Sequence, residues 1–359
     1  MLLSDFDYQL PPGLIAQEPL PGRADSRMLH LDRPSGTLQD CRFRDFPKIL
    51  RPRDLVIFND TRVFPARLFG RKVRANDIHG VPASLTSKAV EALLTRQLSE
   101  TPNEWECLVR PARKIDLGTV LLFGENDELR AEVIGRGLSG ERRLRFDPVE
   151  DFPALIDRLG HVPLPPYIAR EDGPADKERY QTVYARERGS AAAPTAGLHF
   201  TPEILAQLET LGIETTQITL HVGLDTFRPV RAVRIEDHPM HREFYRISAE
   251  SADKINAAQN NGRRIIAIGT TTVRTLEHAA ALSGGGSLSA GSNDADIFIY
   301  PGYKFRLVNG MLTNFHLPKS TLLMMVSAFA GREQILAAYR HAVASQYRFY
   351  SYGDCMFIE

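Results

Sequence analysis

Between Asp60 and Pro148 the chain leaves off alternating strand-like and helix-like runs and becomes a series of short β-like runs. No other feature constrains the fold as much. The runs cover 63–74, 89–97, 105–111, 119–123, 129–135 and 142–146, broken by Gly and Asn-Asp turn signals. A spacing of about ten residues between such runs predicts a small antiparallel β-barrel. The segment 61–148 holds 15 Lys/Arg against 12 Asp/Glu in a chain whose totals balance at 44 each. The local surplus is small, and a solvated surface accounts for it as well as a polyanionic partner does.

The flanks read as α/β. An apolar run at 54–58 precedes a polar elbow, Asn59-Asp-Thr-Arg62. Helices are expected at 152–159, 202–211, 249–260, 275–282 and 321–329, and strands at 213–220 and 264–268. Further elements are expected at 297–300, 306–307 and 311–312, and the Gly/Ser-rich stretch 283–294 reads as a surface loop. Strands alternating with helices give a layered α/β domain. The expected organisation is a discontinuous α/β catalytic domain, 1–60 plus 149–359, with a β-barrel domain inserted at 61–148. A chain of 359 residues with 43% hydrophobic and 25% charged residues fits a two-domain globular protein. Acidic residues break the N-terminal run Met-Leu-Leu-Ser-Asp-Phe-Asp, so it reads as no signal peptide, and no run is long enough for a membrane span. Three scattered cysteines suit a reducing cytoplasm and offer no zinc spacing.

Small residues fill the stretch from Ser190 to Phe200, which carries one proline and one glycine and ends in His199-Phe200. It predicts a turn delivering His199 to a helix capped by Thr201-Pro202. Such a loop either shapes room for a ligand or simply packs tightly. Further polar elements stand at predicted strand ends: Asn59 to Arg62, His221-Val-Gly-Leu-Asp225-Thr-Phe-Arg228, Gly269-Thr-Thr-Thr-Val-Arg274, and Asn314-Phe-His316 before the last apolar helix. In open α/β sheets ligands sit outside the carboxyl ends of strands. The Gly269 turn suits a carboxylate or phosphate, or is only a helix cap, and Arg274 and Glu277 could pair on one helix face. Arg110-Pro-Ala-Arg113-Lys114 suits phosphates, or is a solvated loop. His238-Pro-Met-His241 is a poor metal motif. Neither a dinucleotide fingerprint nor the glycine loop of familiar methyltransferases is expected, and there is no P-loop and no nucleophile elbow.

Nine motifs occur in order: Phe58-Asn-Asp-Thr-Arg62, Arg110-Pro-Ala-Arg-Lys114, Leu164-Pro-Pro-Tyr-Ile168, Glu178-Arg-Tyr-Gln-Thr-Val-Tyr-Ala185, Ala193-Pro-Thr-Ala-Gly-Leu-His-Phe200, His221-Val-Gly-Leu-Asp-Thr-Phe-Arg-Pro229, Gly269-Thr-Thr-Thr-Val-Arg274, Asn314-Phe-His-Leu-Pro-Lys-Ser-Thr321 and Tyr347-Arg-Phe-Tyr-Ser-Tyr-Gly-Asp354. Together they resemble the bacterial S-adenosylmethionine:tRNA ribosyltransferase-isomerases of queuosine biosynthesis, from Asp5-Phe-Asp-Tyr8 to the C-terminus. Segments 76–85 and 283–294 look longer than such enzymes need.

The resemblance implies transfer and isomerisation of the ribosyl part of S-adenosylmethionine onto 7-aminomethyl-7-deazaguanine at the wobble position of tRNA. Epoxyqueuosine forms, and adenine and methionine leave. S-adenosylmethionine is then a consumed co-substrate, with no other cofactor and no metal, in a cytoplasmic enzyme expected to be a monomer without a membrane partner. This chemistry needs general acids and bases. Among residues in the matching motifs, His221 and Asp225 are expected as the acid–base centre, with His199 nearby and Asp60 orienting a ribose hydroxyl or the aminomethyl group. Arg62 and Arg274 are expected on the methionine carboxylate. Thr195, Thr270, Thr271 and His316 are expected around the donor, and Phe200 and Tyr303 as ring faces for a base. Arg67, Arg71, Arg110, Arg113 and Lys114 are expected on tRNA phosphates. Two readings compete: an RNA methyltransferase of unusual fold, and an RNA-binding module built on the barrel. His, Asp and Arg recur in the α/β loops more often than phosphate binding alone requires.

Overall fold

The structure, a computed structural model, describes residues 1–73, 89–137, 140–223, 230–284 and 286–359. Asp225, Arg228 and the segment 76–85 lie outside the described residues.

Nine strands form one mixed sheet. Across it run Gly291–Ala295, Glu243–Ile247, Glu214–Leu220, Leu55–Asn59, Ile265–Ile268, Gly310–Asn314, Cys355–Ile358, Arg27–Asp32 and Thr37–Arg42. The four from Glu214–Leu220 to Gly310–Asn314 are mutually parallel, so their carboxyl ends share one edge. Leu55–Asn59 is buried along its whole length. Leu55 and Ile57 pack into the larger core, while Val56 and Phe58 pack into the core on the opposite face. Helices Ala249–Asn260, Thr270–Leu282, Thr321–Ala330 and Arg332–Ala344 contribute to the first core, and Pro202–Thr210 to the second. A strand apolar on both sides requires cover on both faces, which is why a β-branched run without alternation reads as α/β.

Six strands close into an antiparallel barrel in the order Glu141–Phe146, Asn103–Arg110, Ala89–Glu100, Arg67–Lys72, Val120–Phe123 and Leu129–Arg136. Inward residues Leu121, Phe123, Ala131, Val133, Leu144 and Phe146 alternate with outward ones, as closure demands. Helix Phe152–Leu159, capped by Asp151, lays Phe152, Leu155, Ile156 and Leu159 against this core. The strand Thr61–Val63 belongs elsewhere: it pairs in parallel with Glu187–Ser190 and ties the first turn after Asn59 to the approach of the small-residue loop.

Several expectations need correction. Gly291–Ala295 lies within the expected surface loop yet forms the sheet's outermost strand against Glu243–Ile247. Residues 297–300 and 306–307 form no strand; Glu277 instead accepts the amides of Arg306, Leu307 and Val308 at 2.8, 3.0 and 3.0 Å. Arg274 and Glu277 therefore do not pair. The helix after Gly269 starts at Thr270, one turn earlier than expected. Gly135 to Gly140 does carry the spacing GxGxxG, but it begins inside strand Leu129–Arg136, and strand Glu141–Phe146 follows it where a dinucleotide site requires a helix.

Candidate active site

The carboxyl edge of the parallel strands faces the barrel across a cleft of about 1150 Å³. His221, the first residue after strand Glu214–Leu220, lines it together with Gly189, Phe244, Trp105 and Arg143. Asn59 fixes this corner. Its side-chain amide donates to Leu220 O at 3.0 Å, and its Oδ1 accepts from the amides of Leu220 at 3.0 Å and Thr61 at 3.2 Å. Thr61 Oγ1 then meets His221 Nδ1 at 2.8 Å, and the ring stacks on Phe244 at 5.8 Å. With Nδ1–H donated to Thr61, Nε2 keeps its lone pair, the form that can take a proton. Burial lowers the imidazole pKa below its ordinary value, so the neutral ring is favoured. A Cβ at Gly189 would meet Nε2 at 2.6 Å, so only glycine leaves this nitrogen room.

Asp60 lines neither the cleft nor the two smaller cavities. It is buried, accepts from Thr219 Oγ1 at 2.7 Å and pairs with Arg186 at 3.0 Å. Desolvation raises its pKa, with Thr219 and Arg186 opposing the shift. This placement corrects the expectation that Asp60 touches a ligand: it holds the elbow instead.

His199 and His316 also sit apart from the cleft. His199 is buried against Phe43, with Nδ1 on Ser26 Oγ at 2.9 Å and Nε2 3.3 Å from the Asn314 amide nitrogen. His316 Nε2 meets Thr313 Oγ1 at 2.8 Å. Burial pushes both imidazoles down to about 3. His199 lines no described cavity, so the expectation that it joins the chemistry gives way to a bracing role. Phe200 is fully buried among Phe43, Phe46 and Phe58, leaving no ring face for a base. Tyr303 donates to Glu277 at 3.1 Å, bracing the 300–308 loop away from the described cavities.

Thr195, Thr270, Thr271 and His316 do come together, around a narrow cavity at the N-terminus of helix Thr270–Leu282. The Ser190–Phe200 stretch forms one wall through Ala193, Pro194, Thr195 and Ala196. Ser190 Oγ, accepting from Val222 N at 2.9 Å, stitches that wall to the residue after His221. A second small cavity adjoins it at Thr270 and Thr271 and reaches the cleft at His241 and Glu243. Arg274 stands there buried, donating to Glu243 at 2.5 Å and to the carbonyls of His241 and Ala295. Its charge is already neutralised, which corrects the expectation of a free carboxylate clamp. Sequence reasoning set His241 aside as a poor metal ligand and passed over Glu243, because their proximity to Arg274 comes from an antiparallel strand and no local spacing encodes it.

Arg62 is exposed on strand Thr61–Val63. On the barrel, Arg67 pairs with Glu91 and donates to Leu164 O, and Arg71 chelates Asp127. Both are engaged within the protein, which corrects their expected phosphate contacts. Arg110, Arg113 and Lys114 are exposed at the barrel tip. Buried Arg142 donates from beneath to the carbonyls of Ala112 and Ile115, joining this turn to strand Glu141–Phe146, which also carries Arg143. Among the described residues no group of three or more His, Cys, Asp or Glu side chains has a metal-holding arrangement, and no helix is long and apolar enough to cross a membrane.

A family model described as queuosine biosynthesis protein matches residues 3–358. A relative from Solibacter usitatus named S-adenosylmethionine:tRNA ribosyltransferase-isomerase is 52% identical, with all of both chains covered. One of the same name from Moorella thermoacetica is also 52% identical over the whole of both chains. The crystal structure of S-adenosylmethionine tRNA ribosyltransferase from Thermotoga maritima matches 99% of this chain and 100% of its own, with 37% identity and a TM-score of 0.54. Its likeness spans both the layered sheet and the barrel. The chain belongs to the queuosine biosynthesis protein family, the S-adenosylmethionine:tRNA ribosyltransferase-isomerases.

Proposed function

We propose that this enzyme transfers and isomerises the ribosyl part of S-adenosylmethionine onto the aminomethyl group of 7-aminomethyl-7-deazaguanine at the wobble position of tRNA. Epoxyqueuosine forms, and adenine and methionine are released. One observation carries the reading: a histidine whose neutral form is favoured by burial, held by Thr61 and given room by Gly189, lines a cleft large enough for an extruded nucleotide. A narrow cavity for a small polar group lies beside it.

The sulfonium acidifies the 5′ carbon of the donor, and a base must take that proton. His221 Nε2 fits the task because burial favours the neutral ring and Thr61 orients it. Asp225, outside the described residues, is proposed from the motif as the acid that protonates departing adenine. The attacking amine must be unprotonated, which a partly desolvated cleft favours. The reading uses S-adenosylmethionine as a consumed co-substrate and calls on no metal and no resident cofactor. Arg110, Arg113 and Lys114, with Arg143 on strand Glu141–Phe146, are proposed to hold tRNA phosphates at the cleft mouth.

The reading is tested by mixing the protein, S-adenosylmethionine and tRNA bearing the aminomethyl base, then assaying free adenine chromatographically. Adenine should accumulate only when all three are present. Bound donor and tRNA without adenine release would overturn it.

A further inference from the structure

The narrow cavity at the N-terminus of helix Thr270–Leu282 has features that an S-adenosylmethionine reading does not by itself require. The helix has 13 residues, no side-chain cap and no acid in its first turn. The amides of Thr270, Thr271 and Thr272 meet no acceptor among the described residues. A helix N-terminus of this kind attracts negative charge. Two further polar atoms are buried without a partner in the protein: Thr271 Oγ1 and Asn314 Oδ1. Asn314 is 3% exposed and lines the same cavity. Its amide nitrogen is committed to Tyr350 O at 3.0 Å, so its oxygen is the end left wanting a donor. A buried acceptor without a donor costs free energy that a ligand can return.

Charge and size narrow the ligand class. Among the described residues, no Lys, Arg, Asp or Glu lines this cavity. A lone anion or cation would find no counter-charge there, whereas a zwitterion brings its own. The cavity measures about 40 Å³. At roughly 10–15 Å³ per water position, that space matches about three waters. It is too small for a purine and suits a carboxylate and an ammonium on one carbon. Gly269, at φ +90°, opens the helix with a backbone that a side chain would strain. Tyr350 on the opposite wall also holds a positive φ of 72°, an arrangement costly for a bulky residue.

We propose that this cavity binds the α-amino-acid end of the donor. The carboxylate sits on the amides of Thr270 to Thr272 and on Thr271 Oγ1, and the ammonium donates to Asn314 Oδ1. The inference rests on the reading that S-adenosylmethionine is the donor. Val222, on the cavity wall, adjoins His221 in the cleft, so a donor anchored there extends its sulfonium toward the histidine.

The test compares equilibrium binding of S-adenosylmethionine with that of its decarboxylated analogue, using the wild-type chain and Thr271→Val. The wild type should prefer S-adenosylmethionine by about 10-fold or more, the scale of a charge-assisted contact. Thr271→Val should weaken S-adenosylmethionine several-fold and leave the analogue unchanged. Equal wild-type affinities, or equal losses for both ligands, overturn the proposal. Free L-methionine serves as an independent probe by ligand-observed NMR: it should bind, and its methyl ester should not. Such binding without adenine release from tRNA reactions keeps this site while the activity reading falls. Adenine release with no discrimination against the decarboxylated donor does the reverse.

Discussion

At the residue scale, three histidines within the family motifs meet three different fates, and burial decides among them. His221 is partly buried and keeps one nitrogen toward the cleft, whereas His199 and His316 have both burial and neighbours holding them neutral. Replacing His221 with alanine should lower turnover about 10²–10⁴-fold while leaving donor affinity within a few-fold. Single-turnover adenine release and equilibrium donor binding check this. Because the pKa of His221 is depressed, the neutral base persists below the ordinary imidazole value. The acid limb of kcat should therefore fall below about pH 6.5, and a limb above about pH 7 would contradict the assignment. The buried pair predicts a separate stability effect. Their folded values near 3 lie below the unfolded value, so the unfolded chain binds more protons on acidification. Stability is full above about pH 6.5 and should drop by about 1.4 kcal/mol per pH unit per histidine as pH falls toward about 4. Urea denaturation at about pH 7, 6 and 5 measures the slope, and a flat profile contradicts it. The sequence marked all three histidines alike, since each follows a predicted strand or turn. Their partners, Ser26 for His199 and Thr61 for His221, lie 173 and 160 residues away.

At the element scale, the legible parts were those with local causes. Helix Pro202–Thr210 starts at the Thr201-Pro202 cap, Ala249–Asn260 at Ser248 and Phe152–Leu159 at Asp151, each side chain accepting a first-turn amide. What escaped were elements made by distant pairing. Cys355–Ile358 is a strand because it lies between Arg27–Asp32 and Gly310–Asn314, the first of them from the far end of the chain. Helix Arg332–Ala344 follows Thr321–Ala330 after the single residue Gly331, whose φ of 86° turns the chain without a loop that sequence could display. The strand leading into the small-residue loop makes two predictions. Gly189→Ala places a methyl against the His221 ring at a φ of +155° that strains any side chain, so it should abolish most turnover and lower the thermal unfolding temperature as well. Full activity in Gly189→Ala would show that Nε2 does not need this space. Ser190→Ala removes the acceptor of the buried Val222 amide and should cost about 1–3 kcal/mol in denaturant titrations. The Ser190–Phe200 stretch thus acts through position: it walls one cavity and anchors the residue after His221.

At the scale of the molecule, the barrel and the sheet together enclose the cleft that neither forms alone. The α/β layering and the barrel were readable because period, turn signals and strand length are properties of short windows. The cleft was not, since it depends on how the two units meet, through Gly160 against Pro65 and through helix Phe152–Leu159. We propose 61–148 as the inserted unit, apart from strand Thr61–Val63, which pairs outside the barrel, and the barrel tip as the tRNA-binding surface. Reversing Arg110, Arg113 and Arg143 to glutamate should weaken tRNA binding more than about 10-fold near 0.1 M salt. It should also reduce the salt slope by about 0.7–0.9 for each phosphate that is no longer neutralised, with donor affinity unchanged. An unchanged slope would move the tRNA elsewhere. On the proposed reaction the donor gives up its ribose and keeps its methyl. Nothing tests this more directly than following S-adenosylmethionine labelled separately in the ribose and in the methyl group, with tRNA carrying the aminomethyl base. Ribose label should enter the tRNA, methyl label should leave in methionine, and free adenine should appear in equal amount. Methyl label in the tRNA with the ribose still attached to adenine would contradict it.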